Sequence, residues 1–408
     1  MRDLAWLIAP FDRAAFLEEI WQTAPRKLAQ GRADRFQALF STRSVERILE
    51  FSQPKPPSIR FADKAAEAPA AAPFNAGGRL DIEKIRKLYL AGRTLILNTV
   101  EDYDAEIASL ARAIETELGA RVQVNCYLTP AGAQGFNAHY DTHDVLVVQI
   151  EGEKRWKIYG GDAVYPLNEL TDGGPSDRKD LADPETLTLT AGDVLYIPRG
   201  WIHEAEAQER ASLHLTFGIH PPLAKDLLTA ALEDLCTRFA QLRHALPPGP
   251  LRRADRSALR AQFHGLLKLM AEHADLDAVI EALDGHMLRR GRSAGDGHLF
   301  KDMDRLRDLA PDWRIERRTD MACRLAHTED GVALEFMNAM VTGPRAFEPA
   351  MAFVRDAKAP FRVDALPGLE PDHQLALAIS LVSDGLCRIV EPGERLHAAE
   401  ERAGQAAE

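Results

Sequence analysis

The stretch NAHYDTHDVLVVQIEGEKRWKIY, residues 137–159, joins a His-x-Asp pair to a mostly apolar run rich in β-branched residues and a Glu-Gly-Glu turn. Successive side chains of an extended chain alternate between two faces. His139 and Asp141 are therefore expected on one face of a strand, an imidazole beside a carboxylate. Val145–Ile150 and Trp156–Tyr159, joined through Glu151-Gly152-Glu153, read as two strands of a hairpin. Working outward, the period of two continues in Val122 and Val124, Leu187–Leu189, Val194–Ile197 and Leu213–Ile219. Turns punctuate it at Gly132, Gly135, Gly160-Gly161, Gly173-Gly174, Ala191-Gly192-Asp193 and Pro198-Arg199-Gly200. Many short strands at close spacing predict a sandwich or barrel over 121–219, not a parallel α/β sheet.

A histidine two residues from an aspartate is, taken alone, more often an ordinary hydrogen-bonded pair than a metal site. The distal string changes the balance. Gly192-Asp193, a strand, Pro198-Arg199-Gly200-Trp201 and then His203 places a second histidine just past a tight turn. Two histidines and one carboxylate form the facial triad of non-haem Fe(II) oxygenases, which leaves coordination positions open for a co-substrate and O2. His143 continues the face of Asp141, and reads equally as a residue of the pocket mouth or as a core or surface histidine. Tyr140 alternates outward, and Trp201 reads as packing at the barrel rim.

The flanks are different. Residues 11–50 carry apolar positions at helical spacing, so the opening is expected to be helical. A Pro/Ala-rich excursion over 52–78 follows, with a short strand near Ser58–Phe61. Next come a helix near Asp81–Ala91, the apolar run Thr94–Val100, and a helix Asp104–Leu118 ended by Gly119. After Pro221-Pro222 helices return. They carry apolar stripes at Leu227, Leu228, Ala231, Leu232 and Leu235, and at Leu266, Leu267, Leu269 and Met270. Residues 313–390 mix strand-like pieces (Cys323–His327, Gly331–Phe336, Gly385–Val390) with helices at 346–356 and 371–384.

Composition removes several function classes. The 408 residues carry Lys+Arg 50 against Asp+Glu 62, a net charge of −12, the wrong sign for gripping phosphate backbones through the overall field. Nucleic acid is not an expected direct ligand, whereas a basic protein would be attracted. The four cysteines, Cys126, Cys236, Cys323 and Cys387, form no CxxC pair, which points to a reducing, cytoplasmic context. The first residues lack the pattern of a secretory signal, and no window approaches about 18 uninterrupted apolar residues, so no membrane span is expected.

With these strings in view, the chain resembles the JmjC-type branch of the cupin superfamily, in particular the ribosomal oxygenase group of Fe(II)/2-oxoglutarate-dependent hydroxylases. The resemblance rests on NCYLTPAGAQGFNAHYDTHDVLVVQIEGEKRWKIY (125–159) and LTAGDVLYIPRGWIHEAEA (189–207), supported by the Leu4–Gln30 opening. It implies an α+β protein built on a double-stranded β-helix barrel with a helical N-terminal lead-in. It further implies a helical dimerisation segment and a C-terminal winged-helix-like module. The corresponding domains are 1–222, 223–312 and 313–395. By position, His139, Asp141 and His203 match the group's iron ligands. Lys154 falls where the group's lysine anchors the distal carboxylate of 2-oxoglutarate; composition alone would make it a solvated turn lysine. Arg155 is the less favoured neighbour, because alternation points it to the other face. Asn125 and Tyr127 match positions that add hydrogen bonds to the co-substrate, and His214 and Thr216 match barrel-interior positions.

The implied activity is hydroxylation of a protein side chain, most readily on a basic ribosomal protein, by a homodimer. Two other readings stand beside it: an oxygenase of a small molecule or peptide natural product, and a metal-holding cupin that serves as a binding or regulatory module. Lys154 weighs against the module, which has no need of a co-substrate anchor. Substrate choice is expected in rim loops such as 162–185, whose text carries no readable code.

Overall fold

The computed structural model describes the chain except residues 1, 30, 31, 65, 162–164, 167–180, 182, 247–254, 290–296, 319, 320, 329, 330, 338 and 391–408. Most of the rim loop 162–185 thus lies outside the described residues. The chain divides into two compact units, Met1–Pro221 and Pro222–Glu408.

Among the described residues the first unit has ten strands: β1 (Arg26–Ala29), β2 (Ile59–Ala62), β3 (Thr94–Leu97), β4 (Arg121–Thr129), β5 (Asp144–Glu151), β6 (Glu153–Gly161), β7 (Glu185–Thr190), β8 (Val194–Ile197), β9 (Trp201–Ala207) and β10 (Ser212–His220). Seven form one sheet in the order β1-β8-β5-β10-β4-β3-β2, and three form a second, β7-β6-β9. Strand alternation sorts the side chains into two cores. Val122, Val124, Cys126, Leu146, Val148, Leu215 and Phe217 join a core shared with the N-terminal segments and the helix Ala105–Leu118. Their neighbours Val145, Val147, Leu195 and Ile197 turn the other way and pack with Trp156, Ile158 and Leu189 of the smaller sheet. β5 is buried along both faces, which is why Val145–Ile150 is apolar at every position but Gln149.

The β5–β6 turn depends on Gly152, at φ +67, because a Cβ there would lie 2.1 Å from the Ala211 carbonyl oxygen. The expected helices at 81–91 and 104–118 are present as Ile82–Leu90 and Ala105–Leu118. The second is capped by Asp104, whose Oδ1 accepts from the Glu106 and Ile107 amides, and is closed by left-handed Gly119.

Two expectations need correction here. The opening is not wholly helical: Arg26–Ala29 is a strand at the sheet edge, antiparallel to β8. That segment is held by tertiary contact, with Trp21 stacked on Tyr196 and the Gln22 amide donating 2.9 Å to the Tyr196 hydroxyl. Nor do His139 and Asp141 lie on a regular strand. Residues 130–143 form an irregular segment along the free edge of β9, bonded at Gly132 N to Gln208 O and Ala207 N to Ala133 O. Glycines 132 and 135 and Asn137 break the ladder there, so pairing survives only as isolated bridges, Gln134 with Glu206 and His139 with His203.

In the second unit, helices Ala224–Arg238 and Leu276–Arg289 share a small apolar cluster of Ala230, Ala231 and Val279 with Leu227 and Leu283. A separate core spans Leu309 to Ile389. Around it stand two three-stranded sheets, 361–362/314–317/387–389 and 324–327/332–336/339–343, with helices Glu348–Asp356 and Pro371–Ser383. Strands at 314–317 and 339–343 were not anticipated from the sequence.

Candidate metal centre

The interior face of the barrel follows from register. On β10, His214 pairs with Tyr127 and Thr216 with Asn125 of β4, while on the other side Thr216 pairs with Val147 of β5. On β6, Lys154 pairs with Ala207 and Trp156 with Ala205 of β9, and Ile158 with His203. A bulge between Ile158 and Gly160 loosens the ladder beside His203, a frequent device next to functional sites.

The His139–His203 bridge assembles the centre. His139 N donates 3.0 Å to His203 O and His203 N donates 2.8 Å to His139 O, so the two residues are directly opposed and their side chains share a face. Their ring centroids are 4.6 Å apart. Asp141 is brought alongside by its carbonyl, which accepts 2.9 Å from Gly200 N, and its Oδ2 lies 3.6 Å from His203 Nε2. Among the described residues these three form one cluster whose ligand atoms all fall within 4.8 Å of one another.

Both histidines have one ring nitrogen held by a backbone carbonyl. His139 Nδ1 lies 2.8 Å from Asn137 O and His203 Nδ1 2.9 Å from Trp201 O. A carbonyl can only accept, so each Nδ1 carries the proton and each Nε2 presents a lone pair, the usual backing of metal-bound imidazoles. Burial, reinforced by His139, lowers the His203 imidazole to about 4, which keeps it neutral near pH 7. Burial works to raise the Asp141 carboxyl, but the imidazoles of His143, His203 and His139 outweigh it and hold the group below the ordinary range. The donor set of two imidazoles and one carboxylate suits a divalent iron.

The pocket beside the triad is lined by Tyr127, Lys154, Trp156, His214 and Thr216, with Thr94, Phe136, Val145 and Val147. Lys154 is 4% exposed, and its Nζ donates 3.1 Å to Thr129 Oγ1. Burial lowers its ammonium to about 7, with Cys126 working the other way. Arg155, next in sequence, points outward and pairs with Glu206. Tyr127 stacks on His214 at 4.9 Å; burial and then the Asp141 charge push its phenol up to about 12, so it remains a donor. His214 is neutral, lowered by burial and by Lys154.

Asn125 shares the face of Tyr127 but lies beyond the pocket wall, its Oδ1 accepting from Thr99 N at 3.2 Å and Gln123 Nε2 at 3.1 Å. His143 stacks on His220 at 4.5 Å and also lies outside that wall. Sequence reasoning passed over Thr129 and Trp156. Each stands two residues past a named one, Tyr127 and Lys154, and the period of two would have found both.

These features define a cupin-type barrel with a metal-binding face, and residues 98–227 match the family model described as JmjC domain. Over these residues the chain is similar to JmjC-domain proteins. It is 26% identical over 295 residues to ribosomal oxygenase 1 of Danio rerio, covering 68% of this chain and 54% of the relative. It is 29% identical over 253 residues to the bifunctional lysine-specific demethylase and histidyl-hydroxylase NO66 of Drosophila pseudoobscura pseudoobscura, covering 60% and 26%. The chain thus spans about half the length, or less, of these curated relatives. Its fold is similar to that of the Escherichia coli ribosomal oxygenase YcfD, with TM-score 0.58 and 18% identity over 93% of this chain and 98% of that one. A further YcfD structure, in complex with cobalt and 2-oxoglutarate, aligns with TM-score 0.55 at 18% identity over 94% and 99%.

Proposed function

We propose that the chain is an Fe(II)- and 2-oxoglutarate-dependent oxygenase that hydroxylates a side chain of a protein, a basic ribosomal protein being the substrate class. The observation that carries this reading is the placement of His139, Asp141 and His203 on the same interior barrel face as buried Lys154. A module that only held a metal would have no use for a cation sealed in its floor. The names of the relatives and the charge of −12, which favours a basic partner, support the substrate class.

When bound, Fe(II) with 2-oxoglutarate and O2 supplies the oxidising power that places one oxygen atom in a substrate C–H bond and one in succinate, releasing CO2. The chain does the rest. Nε2 of His139 and His203 and the Asp141 carboxylate would hold the metal, each imidazole fixed in orientation by its backbone carbonyl. Lys154 would take the distal carboxylate of the co-substrate. Tyr127, Thr216 and His214 would complete the polar wall, with Asn125 behind Tyr127. The apolar residues Val145, Val147 and Phe136 keep water from the remaining surface. Purified protein given Fe(II) and 2-oxoglutarate in air is expected to release succinate, and to stop when a chelator removes the metal. Neither binding nor turnover of 2-oxoglutarate would contradict the reading.

The same reading places the protein in the cytoplasm, supported by four unpaired cysteines. No helix among the described residues is long and apolar enough to cross a membrane. It also assigns 223–312 to dimerisation and 313–395 to a winged-helix-like scaffold, following the barrel domain 1–222. Helix Ser257–His273 has no buried residue, and Leu228, Phe263, Leu276 and Ile280 are 63%, 56%, 58% and 50% exposed. Apolar faces of this kind are most often covered by an isologous two-fold contact. Light scattering at micromolar concentration should therefore give twice the chain mass of 45.2 kDa, and a value near 45.2 kDa would refute the dimer.

A further inference from the structure

The geometry points to the Trp156 indole N–H as a hydrogen-bond donor to the dicarboxylate co-substrate, a protein contact additional to Lys154 and to the metal ligands. This rests on the co-substrate reading above and extends it to a residue that the iron triad and the lysine anchor leave out.

Trp156 is 5% exposed, lines the pocket, and its Nε1 is buried without a hydrogen-bond partner. A buried N–H left unpaired costs free energy, and buried tryptophans ordinarily find an acceptor. If Trp156 only filled space between β6 and β9, a phenylalanine would pack there without that cost. The acceptor is therefore expected from what the pocket takes in.

Position identifies which molecule that is. Trp156 follows Lys154 by two residues on the same strand face, and its opposite number on β9 is Ala205, two residues beyond His203. Its ring centroid lies 5.9 Å from that of His203 and 5.7 Å from that of His214, the latter edge to face. The indole thus sits between the lysine and the metal-binding histidines. A five-carbon diacid with one carboxylate at Lys154 and its oxo-acid end at the metal must pass beside it. Ala205 and Ala207 stand opposite Trp156 and Lys154, and such small side chains leave room for the passage. The acceptor is an oxygen of the co-substrate, and the bond adds to the fixing of its orientation.

The test uses the full chain, ¹⁵N-labelled, with Zn(II) as a diamagnetic occupant of the triad. Its five tryptophans give five indole signals, and that of Trp156 is the one missing from Trp156→Phe. Saturating 2-oxoglutarate is expected to move the Trp156 signal downfield. In calorimetry, Trp156→Phe is expected to weaken 2-oxoglutarate binding about 10-fold, with Zn(II) affinity unchanged within about 2-fold. Binding of 2-oxoglutarate to the wild-type chain with the Trp156 signal unmoved would overturn this assignment alone, as would equal affinity in the phenylalanine variant. A shift on Zn(II) addition and none on 2-oxoglutarate would mean a water partner and overturn it likewise. No binding of 2-oxoglutarate by the wild-type chain overturns both this assignment and the co-substrate reading. If the variant fails to fold, the wild-type signals decide, with Trp156 assigned through its contacts to His203 and His214.

Discussion

His139→Ala is expected to abolish Fe(II)-dependent turnover of 2-oxoglutarate while leaving the fold in place. The substitution removes one of three ligand atoms gathered within 4.8 Å, and the remaining imidazole and carboxylate cannot hold a divalent iron at working concentrations. Loss of even a supporting contact around a metal ligand costs about 10–100-fold in affinity or activity, so loss of the ligand itself should cost at least 100-fold. Stability should change little. The His139 ring is half-buried, and the backbone bridge to His203 uses main-chain atoms that alanine retains. Metal content by elemental analysis and succinate formation check the first part; an unchanged denaturation midpoint checks the second. Wild-type turnover in the variant would remove His139 from the metal centre.

The second large effect is expected at Lys154. A buried charge-assisted contact to a carboxylate is worth on the order of 2–4 kcal/mol, so Lys154→Ala should weaken 2-oxoglutarate binding by roughly 30- to 1000-fold. Arg155→Ala supplies the control. That guanidinium is exposed and paired with Glu206, and its loss should leave affinity within about 2-fold. A pH dependence accompanies the contact. Burial brings the Lys154 ammonium down to about 7 in the free site, and only the charged form attracts a carboxylate. Affinity is therefore full below pH 7. Above it, affinity falls by up to about tenfold per pH unit, until the pKa of the occupied site, raised by the bound carboxylate, is reached. Lys154→Ala should lose this dependence along with the affinity. A large loss in Arg155→Ala, with none in Lys154→Ala, would mean that the facing of β6 is reversed.

The cluster of His139, Asp141 and His203 was legible because it is written in local strings. His139 and Asp141 stand two apart, and His203 follows a Gly-Asp strand and a Pro-x-Gly turn. Lys154 was legible through its place in the hairpin, and alternation separated it from Arg155. What stayed hidden was decided by tertiary contact. Arg26-Lys27-Leu28-Ala29 has no β-branched residue and no period of two, and becomes a strand because β8 offers an open edge. The His139 segment was expected as a strand, yet its two residues share a face through a single antiparallel bridge to His203, which no local pattern encodes. Asn125 has the expected parity, but the acceptance by its carbonyl oxygen from Thr99 and Gln123 is a tertiary contact that no local pattern encodes. Trp156 was legible only as a strand residue; its buried, unpartnered N–H shows only in three dimensions.

The proposed function is oxidation of a ribosomal protein by this barrel, with its triad and Lys154. Its most direct test is intact-mass and peptide mass spectrometry of ribosomal proteins from cells with the gene, without it, and complemented with His139→Ala. The account predicts that at least one ribosomal protein carries one additional oxygen atom in the first cells and lacks it in the other two. Identical ribosomal protein masses in all three would contradict it.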